Sequence, residues 1–174
     1  MESRTCAFTG HKPQNSPFGF CGEEERCIAL KHLLREEITR LIEQEGVTHY
    51  ITGMSLGVDM YAAEVVLELK ARYPMLTLES AIPFETQASK WSESMRDRYF
   101  DIASKCDKET LLQTHYTHDC MQKRDQYMVD HADVILAVLS GNPDSTDKTI
   151  RYAKEQGKTV KVIQLEMLSF VEAS

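Results

Sequence analysis

The sequence predicts an α/β fold in which a mostly parallel sheet is covered by helices on both faces. Three observations predict it: β-compatible apolar runs alternate with segments of helical period, the connections are short, and turn-forming residues follow the runs. In such sheets ligands bind outside the carboxyl ends of the strands, near the point where strand order reverses. The loops that leave the strands are therefore where we expect a site: Thr9 to His11, Thr52 to Asp59, Pro83 and Phe84, and Ser140 to Thr146.

The chain begins with a strand and a long helix. Arg4 to Thr9 is a short β-compatible run that stops at Gly10, and a stretch rich in proline and glycine follows it. Residues 23–46 carry apolar side chains at spacings of three and four, which predicts an amphipathic helix. Acidic residues in its first turn and Gly46 just past its end suit the helix dipole and a glycine C-cap.

The next elements are a strand, a buried helix and a strand. Val47 to Thr52 is predicted as the second strand, and Leu76 to Ile82 as the third, ending at Pro83. Between them, residues 59–72 read as a helix that is apolar almost all round, so this helix should be mostly buried.

The second half of the chain repeats the alternation. A polar helix, a short strand, a helix, a strand, a helix and a last strand are predicted in that order: residues 92–105, 109–113, 119–132, 133–139, 147–156 and 160–165. The run DVILAVL at 133–139 is the most strand-like segment of the chain.

Composition narrows the range of functions. The chain has 174 residues, 42% of them hydrophobic, so we expect a single domain over residues 1–174 with a sizeable core. The 20 Lys and Arg residues against 27 Asp and Glu give a net charge of −7, which disfavours direct nucleic-acid binding and attachment to anionic membranes. No apolar run reaches the roughly 18 residues of a membrane span, and the N-terminus lacks a signal-peptide pattern.

Cysteine usage indicates a reducing compartment. The five cysteines are odd in number and contain no C-x-x-C pair, which argues against a disulfide framework or a structural zinc site. They also lack the context of a catalytic nucleophile, so we interpret them as structural. The segment HYTHDC at 115–120 has metal-ligating residue types, but no second ligand cluster accompanies it. We interpret it as a loop entering the next helix, expect no metal, and place the chain in the cytoplasm.

The strongest motif is T-G-M-S-L-G-V-D at residues 52–59, between a strand and the buried helix. Its glycines would let backbone N–H groups approach an anion, and the first turn of the helix supplies unpaired donors at a positive dipole end. It is neither the dinucleotide G-x-G-x-x-G motif nor a Walker A sequence. A tight strand-to-helix turn in which Asp59 only caps the helix would explain the same spacing.

These residues also carry a resemblance to a known family. The run GMSLGVDMYAAE, together with TGHKP at 9–13 and IPFETQASKW at 82–91, resembles the YpsA-like branch of the SLOG superfamily. The later segments MRDRY, RDQYMVD and TIRYAKEQGK continue the similarity in order, so it covers nearly the whole chain. The superfamily also contains the DNA-processing protein Smf/DprA and the LOG cytokinin-activating phosphoribohydrolases.

The resemblance implies a Rossmann-like, three-layer α/β/α fold that binds a nucleotide or nucleotide-derived ligand such as ADP-ribose, NAD or an AMP-like molecule. It implies no established reaction. It links this branch to cell-division control in Gram-positive bacteria, and because related SLOG proteins often dimerise, a homodimer is a further expectation.

Two departures from the family pattern bear on the ligand. The late loop usually reads Gly-Gly-Thr before T-I-x-Y-A, whereas this chain has Asp144, Ser145 and Thr146. A carboxylate beside a phosphate is unfavourable, and the lost glycines restrict close backbone approach. The family pattern Arg-Asn is here Arg124-Asp125. Arg124 keeps a fork geometry suited to phosphate, while Asp125 can neutralise it.

Two further residue types were considered for the site. Aromatic residues follow the third strand, and a base could stack on Trp91 with a neighbouring arginine reaching phosphate, or Trp91 could pin its helix to the core. His11, next to Gly10 at a strand end, could contact a phosphate or ribose, or be incidental.

The sequence thus predicts a cytoplasmic nucleotide-binding sensor or regulatory module without catalytic residues. The expected ligand-binding residues are Thr9, Gly10, His11, Gly53, Ser55, Gly57, Asp59, Phe84, Trp91, Arg124, Ser145 and Thr146. The alternative is a LOG-like nucleoside monophosphate phosphoribohydrolase. The glutamate of the LOG motif P-G-G-x-G-T-x-x-E aligns with Thr149 here, which ranks the enzyme second. A DNA-handling role like that of DprA conflicts with the acidic charge.

Overall fold

The computed structural model describes residues 3–10, 25–139 and 145–164. Strands and helices alternate along them in the predicted order. The strands are β1 (Arg4–Gly10), β2 (Val47–Thr52), β3 (Thr77–Ile82), β4 (Lys108–Leu111), β5 (Val134–Leu139) and β6 (Thr159–Gln164). The helices are α1 (Glu25–Glu45), α2 (Val58–Lys70), α3 (Glu93–Lys105), α4 (Cys120–Asp130) and α5 (Ser145–Glu155).

The six strands form one parallel sheet in the order β4-β3-β2-β1-β5-β6. Strand order runs in one direction from β1 to β4 and in the other from β5 to β6. The order therefore reverses between β1 and β5, and this switch point is where an open α/β sheet forms a crevice at its carboxyl edge.

Helices cover both faces, because successive residues of each strand point to opposite sides. Cys6 and Phe8 of β1 belong to the larger core, which includes the apolar faces of α1, α2 and α3. Ala7, between them, belongs to a smaller core with Met128 of α4 and Ala153 of α5. The predicted Rossmann-like three-layer α/β/α architecture is confirmed.

Local signals place the helix ends close to the predicted positions. The helix α1 ends at Glu45, and Gly46 follows with a φ of 67°. The helix α3 begins after Ser92, whose side chain accepts a hydrogen bond from the Met95 amide at 3.4 Å. The helix α2 is buried as its composition predicts. The helix α5 begins at Ser145, two residues before the predicted start, which brings Ser145 and Thr146 into its first turn.

Within the described residues, no helix combines the length and hydropathy of a membrane-spanning segment. Four cysteines lie in this part of the chain, and all four are free: Cys6, Cys27, Cys106 and Cys120. Burial raises the pKa of Cys6, and it raises the pKa of Cys106 to about 11. Neither is a reactive thiolate at neutral pH, which agrees with a structural role.

Candidate functional site

A small polar cleft lies at the carboxyl edge of the sheet, at the end of β1 and beside the switch point. Four parts of the chain line it: the end of β1, the loop from β2 into α2, one turn of α4 and the start of α5. The lining residues are Phe8, Thr9, Gly10, Ser55, Leu56, Val58, Asp59, Arg124, Asp125, Ser145 and Thr146. Segments far apart in sequence therefore meet where the topology rule predicts.

The β2–α2 loop is closed by short-range hydrogen bonds. The Thr52 hydroxyl donates to the carbonyl of Asp59 at 2.9 Å and accepts from the Met54 amide at 3.2 Å. The Asp59 carboxylate accepts from the Ser55 amide at 3.4 Å. Asp59 therefore reaches back into the loop, which combines a local structural role with a place in the cleft.

Two residues of this loop have left-handed backbone conformations. Gly57, just before α2, has a φ of 95°, and Met54 has a φ of 57°. Such a φ is costly for a side chain other than glycine, and it persists only where surrounding contacts fix it. Gln87 supplies two of these contacts, because its side-chain nitrogen donates to the carbonyls of Gly53 (3.3 Å) and Met54 (3.1 Å).

Arg124, a residue of α4, contacts the same loop from the face of the sheet opposite to α2. Its side chain is only 3% exposed. Nη1 donates to the Gly53 carbonyl at 2.6 Å, Nη2 donates to the Ser55 hydroxyl at 3.2 Å, and Nε donates to Asp125 at 2.8 Å. Arg124 thus connects α4 to the β2–α2 loop and lies in the cleft with its charge balanced in part by Asp125, as the sequence suggested.

Glycines permit this close packing at two positions. A Cβ on Gly53 would lie 2.6 Å from Nη1 of Arg124 and 2.9 Å from a carboxylate oxygen of Asp59. A Cβ on Gly10 would lie 2.6 Å from the Cβ of Val58. The space beside Gly53 is therefore taken by the arginine of α4, and Gly10 lets the end of β1 pack against the start of α2.

Two helices begin at the cleft. Val58 and Asp59 are the first residues of α2, and Ser145 and Thr146 are the first residues of α5. The positive ends of the two helix dipoles favour anions here. The carboxylates of Asp59 and Asp125 act against this field, so the cleft is suited to a small anionic or polar group and disfavours a cluster of negative charges.

Most of the predicted ligand-binding residues meet in this cleft. Those that line it are Thr9, Gly10, Ser55, Asp59, Arg124, Ser145 and Thr146, while Gly53 and Gly57 shape the adjoining loop. His11 lies outside the described residues, as does Asp144.

The aromatic candidates have other neighbours. Phe84 packs edge-on against Tyr116, with ring centroids 5.3 Å apart, and Trp91 packs edge-on against Tyr99 at 5.4 Å. Trp91 also contacts the larger core, as in the structural interpretation of this residue. Neither is among the residues that line the cleft.

Arg98 of α3, an arginine that follows Trp91 in the sequence, makes structural contacts. Its Nε lies 3.0 and 3.1 Å from the two carboxylate oxygens of Glu64, and its guanidinium lies 5.1 Å from the ring centroid of Tyr61. These contacts connect α3 to α2. In this structure Arg98 is not a phosphate ligand of the cleft.

Sequence reasoning missed Gln87 and the apolar lining residues Phe8, Leu56 and Val58. Gln87 lies in the family-like run at 82–91, but only the fold reveals that its side chain supports the β2–α2 loop. The segment 115–120 is a loop leading into α4, as predicted. Among the described residues, no group of three His, Cys, Asp or Glu side chains is placed to hold a metal ion.

A second buried charge, Glu79, lies on β3 and is not part of the cleft lining. Glu79 is 3% exposed, and its carboxylate accepts hydrogen bonds from Tyr127 (2.6 Å), Thr110 (2.7 Å) and His49 (2.9 Å). Burial raises the pKa of Glu79, but these hydrogen bonds and the charge of Lys108 outweigh burial and hold the pKa below its ordinary value. All of these partners are side chains, and none of them lines the cleft.

Known proteins similar to this chain are bacterial and share most of its length. A UPF0398 protein of Brevibacillus brevis is 36% identical over 133 residues, which are 75% of this chain and 70% of the relative. UPF0398 proteins of Bacillus thuringiensis and Bacillus cereus are 30% identical over 158 residues, 89% of this chain and 85% of theirs.

One solved structure, that of DNA processing protein A (DprA) from Streptococcus pneumoniae, is similar with a TM-score of 0.49 and 7% sequence identity. The similarity covers 91% of this chain and 58% of that one, so this chain spans less than two thirds of the length of that protein.

The family model YpsA, described as the YspA SLOG family, matches residues 6–172, and the chain therefore belongs to this SLOG family.

Proposed function

We propose that this protein binds a nucleotide or nucleotide-derived small molecule at the cleft and acts in the cytoplasm as a sensor or regulatory module. Membership of the SLOG family supports a nucleotide-related role. The ligands we consider are ADP-ribose, NAD and AMP-like molecules. A regulatory role would agree with the cell-division link that the family resemblance suggested, and a homodimer is the assembly we propose.

The observation that carries this proposal is the convergence of the end of β1, the β2–α2 loop and two helix starts on one polar cleft. Backbone N–H groups at a helix start bind anions without requiring a charged side chain. A phosphoryl group at this position would face the first turns of α2 and α5, with Arg124 behind them. Because Gln87 and Arg124 fix the β2–α2 loop, this wall of the cleft is ordered before a ligand arrives.

The charges beside the cleft favour a ligand with few negative charges at this end. Arg124 already donates to Asp125, and Asp59 lies within the same lining. A second or third phosphate crowded into the cleft would therefore meet two carboxylates. This balance supports a monophosphate or the bridging diphosphate of a dinucleotide-like ligand over a nucleoside triphosphate.

The enzymatic alternative has no acid at the position of the LOG glutamate, which Thr149 occupies. Cleavage of an N-glycosidic bond passes through an oxocarbenium-like state that a carboxylate stabilises. At the position of the LOG glutamate, Thr149 is nearly buried and its hydroxyl donates to the Ser145 carbonyl at 3.2 Å. We expect no release of adenine from AMP over hours at high protein concentration. Chromatography showing adenine that disappears in an Asp147→Asn variant would favour the enzyme.

Calorimetric titration with ADP-ribose, NAD, AMP and cyclic nucleotides tests the proposal. Mass spectrometry of small molecules that co-purify with the protein would extend the panel, and sedimentation of the same preparation reports the oligomeric state. We expect at least one nucleotide to bind and to compete with inorganic phosphate. If no member of the panel binds and nothing nucleotide-like co-purifies, the proposed function is wrong.

A further inference from the structure

A groove between α4 and α5 opens beside the cleft. Side chains of α4 form one wall and side chains of α5 form the other, among them Met121, Gln122, Gln126, Lys148, Arg151 and Tyr152. Asp125 and Ser145 line both the groove and the cleft, so the two spaces are continuous at these residues.

The two spaces differ greatly in size. The cleft has a free volume of about 20 Å³, and the groove has about 320 Å³. A site of roughly 10 to 15 Å³ holds a single water molecule, so the cleft alone accommodates only one small polar group. A ligand of nucleotide size that places a phosphoryl group in the cleft must extend beyond it, and the groove is the adjoining larger space among the described residues.

The groove also has the chemistry that a nucleobase requires. Gln122 and Gln126 carry both donors and acceptors, which suits the hydrogen-bonding edge of a base. The Tyr152 hydroxyl donates to Asp130 at 2.6 Å, which holds a half-buried aromatic ring on the groove wall. Base stacking on an aromatic side chain requires such a ring, and fixing it beforehand lowers the entropic cost of binding.

We infer that the groove between α4 and α5 is the nucleoside subsite of the ligand whose phosphoryl group occupies the cleft. This inference rests on the proposed function and deepens it, because it divides the site into an anion subsite and a larger base-binding subsite. A ligand of this class spans the junction at Asp125 and Ser145. Its affinity depends on α4 and α5 side chains that lie outside the loops at the carboxyl edge.

A substitution that fills the groove tests whether the site is divided into an anion subsite and a base-binding subsite. Gln122 is exposed on α4, so Gln122→Trp should fold normally and occupy the groove, while Gln156→Trp places the same side chain on an exposed position outside it. Titrations with AMP and ADP-ribose should show affinity at least tenfold weaker in Gln122→Trp and unchanged in Gln156→Trp. Inorganic phosphate should bind all three proteins within twofold. Tyr152→Leu should weaken the nucleotides about fivefold through lost stacking.

The outcomes separate the two proposals. If AMP and ADP-ribose bind wild type and Gln122→Trp equally well, the nucleoside subsite is wrong and the cleft proposal stands. Equally weakened binding of inorganic phosphate by Gln122→Trp would also contradict the inference, because the substitution would then act on the cleft. If neither nucleotides nor inorganic phosphate bind the wild-type protein, the proposed function fails and the subsite with it. Thermal unfolding of each variant confirms that the fold is retained.

Discussion

Two buried charges, Glu79 on β3 and Arg124 on α4, are equally hidden from solvent but have different partners. Each is 3% exposed. Glu79 is surrounded by side chains from β2, β4 and α4 that satisfy its carboxylate. Arg124 instead holds a backbone carbonyl and a hydroxyl of the β2–α2 loop and lies at a cleft. Burial alone therefore does not distinguish a structural charge from one at the proposed binding site, whereas the partners do.

The largest effect on stability should come from replacing Glu79. Glu79→Ala removes the common acceptor of Tyr127, Thr110 and His49, and losing charged hydrogen bonds of this kind should lower the free energy of unfolding by about 3 kcal/mol. Urea denaturation measures this loss. Nucleotide affinity should change less than twofold, since none of these residues lines the cleft. A tenfold loss of affinity in a folded variant would mean that the two regions are coupled.

Replacing Arg124, which holds the β2–α2 loop, should lower both the stability of the fold and the affinity for nucleotides. Arg124→Met keeps an apolar side chain of similar length but loses the contacts to Gly53 and Ser55, which should cost about 2 kcal/mol in the free energy of unfolding. Nucleotide affinity should fall at least tenfold, because the loop loses its anchor. Arg96→Met, at an exposed position of α3, is the matched control and should change neither quantity. An unchanged free energy of unfolding in Arg124→Met would show that Arg124 does not stabilise the β2–α2 loop.

A smaller effect should appear as a pH dependence of stability. The pKa of Glu79 is lowered in the folded protein, so its contribution is present above the unfolded pKa, about 4.3 for Glu, and is lost as pH falls through the folded pKa. The difference in unfolding free energy between wild type and Glu79→Gln should therefore be largest near neutral pH and shrink in acid. A difference that stays constant or grows towards low pH would contradict this assignment.

The contrast between the two regions also explains what the sequence could predict. Hydrophobic periodicity places β2 at Val47–Thr52, the same residues as in the structure, and the topology rule identifies the loops that form the cleft. Periodicity reports local burial and says nothing about partners distant in sequence. The hydrogen bond from Gln87 to the Met54 carbonyl joins the segment after β3 to the β2–α2 loop. The hydrogen bonds of Glu79 join β3 to two neighbouring strands and to α4. Neither has a local sequence signal.

The same reasoning explains Trp91. Its ring lies against Tyr99 in the turn of α3 that packs on the larger core, and a single aromatic residue near basic side chains gives no indication of which surface it faces. The family resemblance and the fork geometry of its guanidinium predict Arg124 at the site, but its burial and its hydrogen bond to Gly53 depend on how α4 crosses the sheet.

The measurement that tests the central claim most directly is calorimetric titration of Asp125→Asn with ADP-ribose. The substitution removes a carboxylate from the cleft and releases Nε of Arg124. If an anionic group is bound beside Arg124, affinity should rise about fivefold, corresponding to roughly 1 kcal/mol of relieved repulsion. Asp101→Asn, on the exposed surface of α3, should leave affinity unchanged. Equal or weaker binding by a correctly folded Asp125→Asn protein would contradict anion recognition at this cleft.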